Sequence, residues 1–322
     1  MRILSIDDAV PLNETSVLTV GNFDGVHRGH RILLDSVVKR AAARGRRATA
    51  VTFEPHTRLA AVRKAAQRSG SHELLTTFEE KTRLLELAGL EYVMKIPFDE
   101  AMSRKSPEEF IDEVLVKRLH MAEWVLGHGH VIGRNRTGDA NFLQSMEGKY
   151  HFKTFIVDLL SVEGTAVSST RIREFITNGR IFEAVQRLGH PYLISVERTR
   201  GIRLGTMLGY PTFNFKSPPA RKAIPPAGVY AAELEYKGRL ECGALYFGGC
   251  PTFGGNREVH FEFHSFSRET SELPEGRRAD IWIYSFIRAD KVFAGSQELV
   301  RQIDDDVEKI KTYFTKENRQ WR

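Results

Sequence analysis

Residues 16–38 constrain the fold of this chain more tightly than any other stretch. An apolar run, Ser16–Val20, leads into Gly21-Asn22-Phe23-Asp24-Gly25-Val26-His27-Arg28-Gly29-His30. A helical pattern follows, with Ile32, Leu33, Leu34, Val37 and Val38 recurring on one face. Strand, glycine-rich turn and helix start, in that order, form a site where phosphates settle. Glycine lets the backbone approach a ligand, and a helix N-terminus offers unpaired N–H groups with a partial positive charge. Imidazoles placed there, His27 and His30, can donate hydrogen bonds to phosphate oxygens as charge develops. A lone His-x-Gly-His reads equally well as a tight turn whose histidines cap the helix. The strand before it and the helix after it favour the nucleotide site.

The alternation continues. Apolar runs at Val17–Val20, Ala48–Phe53, Tyr92–Ile96, Trp124–Leu126 and Thr154–Val157 are interleaved with amphipathic stretches at Arg31–Ala43, Phe78–Ala88 and Pro107–Leu119. This predicts a parallel sheet covered by helices. Ser106 ahead of Pro107, Glu108 and Glu109 is a helix start with a capping hydroxyl and first-turn carboxylates. Thr77 and Glu80 form a possible capping box before another helix. Past about residue 190 the runs become aromatic and β-branched: Val229–Tyr236, Leu240–Phe247, Val259–Phe266 and Ile281–Phe286. They predict a compact antiparallel β-barrel domain. A C-terminal helix from Ser296 to about Thr315 carries Leu299, Ile303, Val307 and Ile310 on one face. The boundary falls near Gly189-His190-Pro191, giving domains of residues 1–188 and 189–322.

A chain of 322 residues, 41% hydrophobic and 27% charged, is long enough for two soluble domains with their own cores. The net charge of +6 suits an anionic ligand. No basic patch is interleaved with aromatics, so a nucleic-acid partner is not expected. Arg44, Arg46, Arg47 and the stretch from Arg58 to Arg68 read as solvated surface. Two cysteines, Cys242 and Cys250, exclude a disulfide scaffold. No run is long enough to span a membrane and the first residues lack a signal-peptide pattern, so a cytoplasmic location is expected. Oligomeric state is not legible.

Three further segments bear on the His27–His30 turn. Thr52-Phe53-Glu54-Pro55-His56 closes the second strand, where ligands collect in open α/β sheets. Gly127-His128-Gly129-His130-Val131-Ile132-Gly133-Arg134 follows the strand at Trp124–Leu126. Ser168, Ser169 and Thr170 open a helix that they can cap, and Arg171 and Arg173 can reach phosphate bidentately. The decapeptide Gly21–His30 resembles the signature of the HxGH nucleotidyltransferases. In its full form it looks like that of the bacterial bifunctional riboflavin kinase/FAD synthetase family. Matching elements cover nearly all of residues 15–190: Thr52–His56, Leu74–Thr77 with Lys81, Ser106 with Glu108 to Phe110, Gly133 with Gly138 and Asp139, and Ser168–Arg173.

The resemblance implies a Rossmann-like nucleotidyltransferase domain in which the phosphate of FMN attacks the α-phosphorus of ATP, releasing pyrophosphate and forming FAD. Such chemistry rests on positioning and charge neutralisation. It implies that Gly21, Asn22, Phe23, Asp24, Gly25 and Gly29 lie against the nucleotide and that His27 and His30 stabilise charge on the reacting phosphates. Ser168, Ser169, Thr170, Arg171 and Arg173 would hold the phosphate tail, with Mg²⁺ bridging oxygens.

Residues 201–214, running from Gly201 through Gly205 and Gly209 to Thr212-Phe213-Asn214, form the second informative segment. Glycines four apart permit a loop close against a ligand, and Thr212 and Asn214 offer a hydroxyl and an amide suited to Mg²⁺ and phosphate. Alone, the segment reads as a glycine-rich β connection with a polar end. It resembles the riboflavin kinase signature, and Pro226 with Gly228–Tyr230, Pro251-Thr252-Phe253, and Ile287-Arg288 with Phe293 match in order. The resemblance implies a β-barrel that phosphorylates riboflavin from ATP, with Gly201, Gly205 and Gly209 in the nucleotide loop and Thr212 and Asn214 at the metal. It also implies a glutamate base for the ribityl hydroxyl. Glu262, two before His264, suits the spacing better; Glu258, two before His260, stays open.

The chain departs from the family's pattern in several places. His128 and His130 stand where an acidic residue and an aromatic are usual, which bears on the flavin contacts. Thr206 replaces an arginine, Phe213 replaces an alanine beside Asn214 and could crowd the nucleotide, and Glu272–Gly276 occupies an expected Asp-Leu-Tyr-Gly turn. The expectation is a bifunctional enzyme using ATP, riboflavin and FMN with Mg²⁺. The alternatives are a chain with one working half, the kinase being the weakened one, and a catalytically inactive flavin- or nucleotide-binding regulator.

Overall fold

The computed structural model describes residues 1–6, 14–57, 73–133, 137–158, 161–162, 165–201, 204–219, 221–248, 260–267 and 272–316. The Arg58–Arg68 stretch, Arg134, Cys250, Pro251–Phe253 and Glu258 lie outside them. The chain forms two compact units, one of Met1–His72 with Lys81–Ser168, the other of Glu73–Glu80 with Ser169–Arg322.

The first unit is a parallel sheet of β1 (Arg2–Ser5), β2 (Ser16–Val20), β3 (Arg47–Glu54), β4 (Tyr92–Pro97), β5 (Met121–Gly127) and β6 (Lys153–Val157). The order is β1-β4-β3-β2-β5-β6 and every neighbouring pair is parallel. Because helices cover both faces, the inner strands are apolar runs rather than alternating ones; β2 is buried at every position. The chain steps from β2 to β3 and β4 on one side, then starts again with β5 and β6 on the other. The order therefore reverses between β2 and β5, the crevice where open α/β sheets bind ligands.

Helix α1 (Arg28–Arg44) leaves the turn after β2. Its N-cap is His27, and it stops at Gly45, whose left-handed backbone returns N–H bonds to Ala41 and Ala42. Beyond lie α2 (Phe78–Leu87), α3 (Glu100–Arg104), α4 (Pro107–Phe110) and α5 (Ala140–Tyr150). The helix expected over Pro107–Leu119 opens with the full capping box, Ser106 with Glu109. It then widens into a π-helix at Ile111–Val116 that turns Ile111, Val114 and Leu115 inward. Those side chains join Leu18, Trp124, Leu143 and Phe152 in the core. At the opposite end of the sheet the buried Glu123 is paired at 2.7 Å with each of Arg40, Arg44 and Arg46. Arg44 and Arg46, expected as plain solvated surface, thus fasten α1 to the start of β5; a buried carboxylate needs such partners. The short antiparallel pair β7 (Ser161–Val162) and β8 (Thr165–Ala166) completes this unit.

The second unit begins with α6 (Ser169–Thr177) and α7 (Ile181–Leu188) and continues into a closed antiparallel barrel. Its strands are β9 (Tyr192–Thr199), β10 (Phe213–Phe215), β11 (Gly228–Tyr236), β12 (Arg239–Gly248), β13 (His260–Ser265) and β14 (Arg278–Ala289), in the order β10-β13-β12-β11-β14-β9, with β9 closing on β10. A single turn, α8 (Leu204–Met207), lies between β9 and β10. Helix α9 (Ser296–Lys316) lays Ile310 and Phe314 on Val229 and Ala231 of the barrel wall. Glu73–Glu80 belongs to this unit through a buried ion pair. Lys222 Nζ donates to Glu80 at 2.7 Å, and to the carbonyls of Leu75 and Leu193. Glu80 also accepts the Ser195 and Thr77 N–H groups, both at 2.8 Å. The Thr77–Glu80 capping box is therefore real and serves two purposes. Among the described residues no helix is long and apolar enough to cross a membrane.

Candidate active sites

In the first unit the turn after β2 is strained in a way that ordinary turns are not. Phe23 and Val26 hold positive φ, 49° and 39°, and Gly25 sits at 80°. A β-branched residue there costs of order 1–3 kcal/mol, a strain that clusters at functional sites. Phe23, Asp24 and Val26 are buried. Asn22 is fastened by Thr57, which receives its amide N–H at 2.9 Å and returns its own hydroxyl at 3.2 Å. Thr52, from β3, donates to the Asn22 carbonyl and accepts from the buried Lys81 Nζ at 3.2 Å.

The two imidazoles stack face to face, 3.6 Å between centroids and 14° apart, with Phe23 edge-on to His30. His27 Nδ1 accepts the His30 N–H at 3.4 Å. The capping reading and the phosphate reading thus describe one residue: with Nδ1 accepting, the neutral ring carries its proton on Nε2. Gly29 lies beneath, where an added Cβ would press on the His27 ring. Burial above all, then His27 and Lys81, holds the His30 imidazole well below its ordinary pKa. Its Nδ1 is buried without a hydrogen-bond partner among the described residues. Burial also draws the Lys81 ammonium down, against the pull of Glu54 and Asp24.

A cleft of about 270 Å³ opens over the carboxyl ends of β2 to β5. Gly21 and Asn22 form one wall, Phe53, Phe98 and Phe110 supply aromatic surface, and His130 closes the other side. Gly133 ends that side; an added Cβ there would meet the Pro107 ring at 2.5 Å. His128 instead faces outward, two-thirds exposed, 3.6 Å from Asp158. Ser168 ends the first unit, and Ser169, Thr170, Arg171 and Arg173 start α6 in the second. Arg171 is paired with Glu174 at 3.0 Å and Arg173 is buried.

The second unit carries its own cluster. Register pairs Asn214 on β10 with Glu262 on β13, so both project from one face. Thr212 Oγ1 donates to Glu262 Oε2 at 3.1 Å and accepts from Asn214 Nδ2 at 3.4 Å. Gly201 is required here, because a Cβ would fall 2.2 Å from the Asn214 amide. Gly205 packs as tightly on the Tyr210 carbonyl, and Gly209 takes a left-handed turn, φ 88°. Phe213 pairs with Phe263 and therefore points to the opposite face from Asn214, under the Arg198 guanidinium. The crowding expected of it is absent for that reason. Thr206 is exposed on α8.

Thr212 and Glu262 line a cleft of about 160 Å³. Its far wall is built by Arg288, Phe293 and the α9 residues Leu299, Ile303 and Asp306. Arg288 Nε donates to Asp306 at 2.8 Å. Burial raises the Asp306 pKa despite that partner. Glu258 cannot be compared with Glu262, since it lies outside the described residues. Thr212 Oγ1, within hydrogen-bond reach of both the Glu262 carboxylate and the Asn214 amide, gathers a hydroxyl, a carboxylate and an amide, side-chain types that suit a hard cation.

Sequence reasoning did not nominate Phe98 or the α9 residues as cleft walls, whereas His130 was singled out as bearing on the flavin contacts. The α9 stripe was legible, but its spacing does not tell that Leu299 and Ile303 face a cleft while Ile310 is packed away.

Comparison with known proteins bears on both sites. A family model described as FAD synthetase matches residues 10–171, and one described as riboflavin kinase matches residues 188–314. A bifunctional riboflavin kinase/FMN adenylyltransferase of Escherichia coli (strain K12) is 33% identical over 94% of this chain and 93% of its own. A protein of the same name from Listeria monocytogenes is 30% identical over 97% and 96%. A crystal structure of a macrolide-efflux protein from Streptococcus pneumoniae superposes over 96% of this chain and 98% of its own, with a TM-score of 0.79 and 24% identity, a likeness of fold.

Proposed function

The chain belongs to the bifunctional riboflavin kinase/FMN adenylyltransferase family, and we infer that it phosphorylates riboflavin to FMN on the barrel and adenylylates FMN to FAD on the parallel sheet. The two catalytic modules divide near residue 188 in this reading. The observation that carries it is the coincidence of each family match with a separate, geometrically coherent cluster: the His27–His30 stack at the switch of strand order, and Thr212, Asn214 and Glu262 on one barrel face.

For adenylyl transfer, FMN phosphate oxygen bonds to the α-phosphorus of ATP as the bond to the pyrophosphate oxygen breaks. His27, with Nδ1 occupied by its capping bond, offers Nε2–H to a phosphate oxygen. His30, its pKa held low, offers a neutral ring at physiological pH, so its contribution is a directed hydrogen bond. Arg171 and Arg173 are assigned to the phosphate tail. Gly21, Asn22, Phe23, Asp24, Gly25 and Gly29 shape the nucleotide turn, and Ser168, Ser169 and Thr170 supply the second phosphate contact.

In the kinase half, Glu262 is the base. It takes the proton from the ribityl hydroxyl as that oxygen bonds to the γ-phosphorus of ATP and ADP leaves. Thr212, donating to Glu262, orients the carboxylate. Thr212 and Asn214 would hold Mg²⁺, which supplies neutralisation of the triphosphate charge. Gly201, Gly205 and Gly209 let the loop backbone close on the nucleotide. A cytoplasmic location, with ATP, riboflavin and FMN as small-molecule partners and no nucleic-acid or membrane partner, is part of this reading.

The test is product analysis of the full chain with Mg²⁺-ATP, supplied with riboflavin or with FMN. FMN and then FAD from riboflavin is the expected result. FAD from FMN alone would mean that Thr206 marks a disabled kinase, and no product from either would leave a binding protein.

A further inference from the structure

The segment that brings Thr212 to Glu262 is pinned more closely than a plain connection needs. Between α8 and β10 the chain turns at Gly209, φ 88°, and Tyr210 and Thr212, on either side of Pro211, line the barrel unit's cleft. The Tyr210 N–H donates to the Gly205 carbonyl at 2.7 Å, which fixes the backbone ahead of Pro211. The Pro211 carbonyl lies 2.9 Å from His264 Nδ1. A carbonyl only accepts, so this imidazole holds its proton on Nδ1. The fixed φ of proline removes one rotation between the two anchors.

The Tyr210 side chain adds a third anchor, on α9. Its half-buried ring meets the His264 imidazole edge-on, with centroids 5.4 Å and planes 78° apart. Its hydroxyl donates to the Asp304 carboxylate. An ionised acceptor strengthens that bond, and a ring already packed on His264 gives up little conformational freedom in making it. Asp304 follows Ile303 directly and precedes Asp306 by two, and both of those wall the same cleft. One hydroxyl thus ties the loop bearing Thr212 to the helix on the far wall. The kinase chemistry described above gives no part to Tyr210, Asp304 or His264.

The cluster at Glu262 tolerates little displacement. Thr212 Oγ1 reaches Glu262 at 3.1 Å and Asn214 at 3.4 Å, and a few tenths of an ångström more would break the longer bond. Those two bonds are too long to set the place of Thr212 unaided; the backbone leading to it must do so. We propose that Tyr210 is a positioning residue of the riboflavin-phosphorylating site: bonded to Asp304 on α9 and braced by His264, it holds the Pro211–Thr212 backbone where Thr212 meets Glu262. It acts through Thr212 and touches no reacting atom. The assignment rests on the inferred kinase reaction with Glu262 as its base.

The experiment measures steady-state riboflavin phosphorylation with Mg²⁺-ATP by the full chain and by its Tyr210→Phe, Asp304→Leu and Asp304→Asn variants, with the Tyr210→Phe/Asp304→Leu double variant beside them. FAD formation from FMN and denaturant melts are followed for each. Tyr210→Phe keeps the ring and loses only the hydroxyl. Its kcat should fall about tenfold, a modest share of what misplacing a reacting group by an ångström costs, while the KM for riboflavin holds within about twofold. Asp304→Leu should fall as far and the double variant no further, because each change removes the same bond, and the melts should show the same non-additivity. Asp304→Asn, which keeps an acceptor, should recover most of the turnover, and FAD formation should be unchanged throughout. Four results would overturn the assignment: an unchanged kcat in Tyr210→Phe, a raised riboflavin KM in place of a lowered kcat, losses that add in the double variant, or a parallel loss of FAD formation. A wild-type chain that makes no FMN from riboflavin would overturn the underlying reading instead, an outcome distinct from these.

Discussion

At the scale of single residues, the His27–His30 stack joins a local structural duty to a chemical one. His27 secures the first turn of α1 through Nδ1, and the same bond fixes which nitrogen can serve a phosphate. Replacing His30 by alanine should therefore lower FAD formation by about 10²–10³-fold, the loss expected for one preorganised donor, and leave riboflavin phosphorylation unchanged. Chromatographic product analysis of both reactions checks this; equal loss of both would end the two-site assignment. These histidines were legible because glycine and histidine at close spacing between a strand and a helix have few other uses. That Phe53, Phe98, Phe110 and His130 share one cleft was not. They lie on four separate stretches of chain, and only the order of strands in the sheet brings them to one cleft.

Elements show where sequence periodicity succeeds and where it fails. Long apolar runs such as β2 and β3 were read nearly to the residue, since burial on both faces leaves an unmistakable signature. Edge strand β1, with an arginine among four residues, leaves none. Strands β9 and β10, split by the glycine loop, were also missed. The stretch Pro107–Leu119 was helical as read, but no periodicity distinguishes four residues of α-helix followed by a π-helix. Strand alternation decides the meaning of Phe213, which shares a face with Phe263 and not with Asn214. Phe213→Ala should therefore leave riboflavin phosphorylation within about twofold while lowering stability by roughly 1–2 kcal/mol for the apolar surface lost. Kinase assays alongside denaturant melts would expose the opposite pattern. The Glu80–Lys222 pair has larger stakes. Lys222→Ala leaves a buried carboxylate uncompensated and should cost about 3–5 kcal/mol. A Glu80→Leu/Lys222→Met double variant should cost clearly less than either single change by the same measurement.

For the whole molecule, two units with separate sites explain how one chain can run two transfers. The pH dependence of stability is set in part by His30. Its folded pKa is depressed, so an unfolded chain takes up the proton first as the pH falls through about 6.5. The stability present above that pH is lost as pH falls toward the folded value. Thermal melts of wild type and His30→Phe between pH 8 and 5 should show a steeper decline in the wild type, and parallel curves would refute the sign.

Two-part proteins invite dissection at the gene level, and the obvious scissor mark here is near residue 188. The ion pair at Lys222 argues against it. The carboxylate that neutralises this ammonium comes from Glu80, more than a hundred positions upstream of the cut. A fragment starting at residue 189 would enclose a cation with its counter-ion missing, and should express poorly even though every barrel strand is encoded. The same fragment carrying Lys222→Met should express as folded protein. The module boundary drawn along the gene and the boundary drawn through the folded chain are therefore different lines.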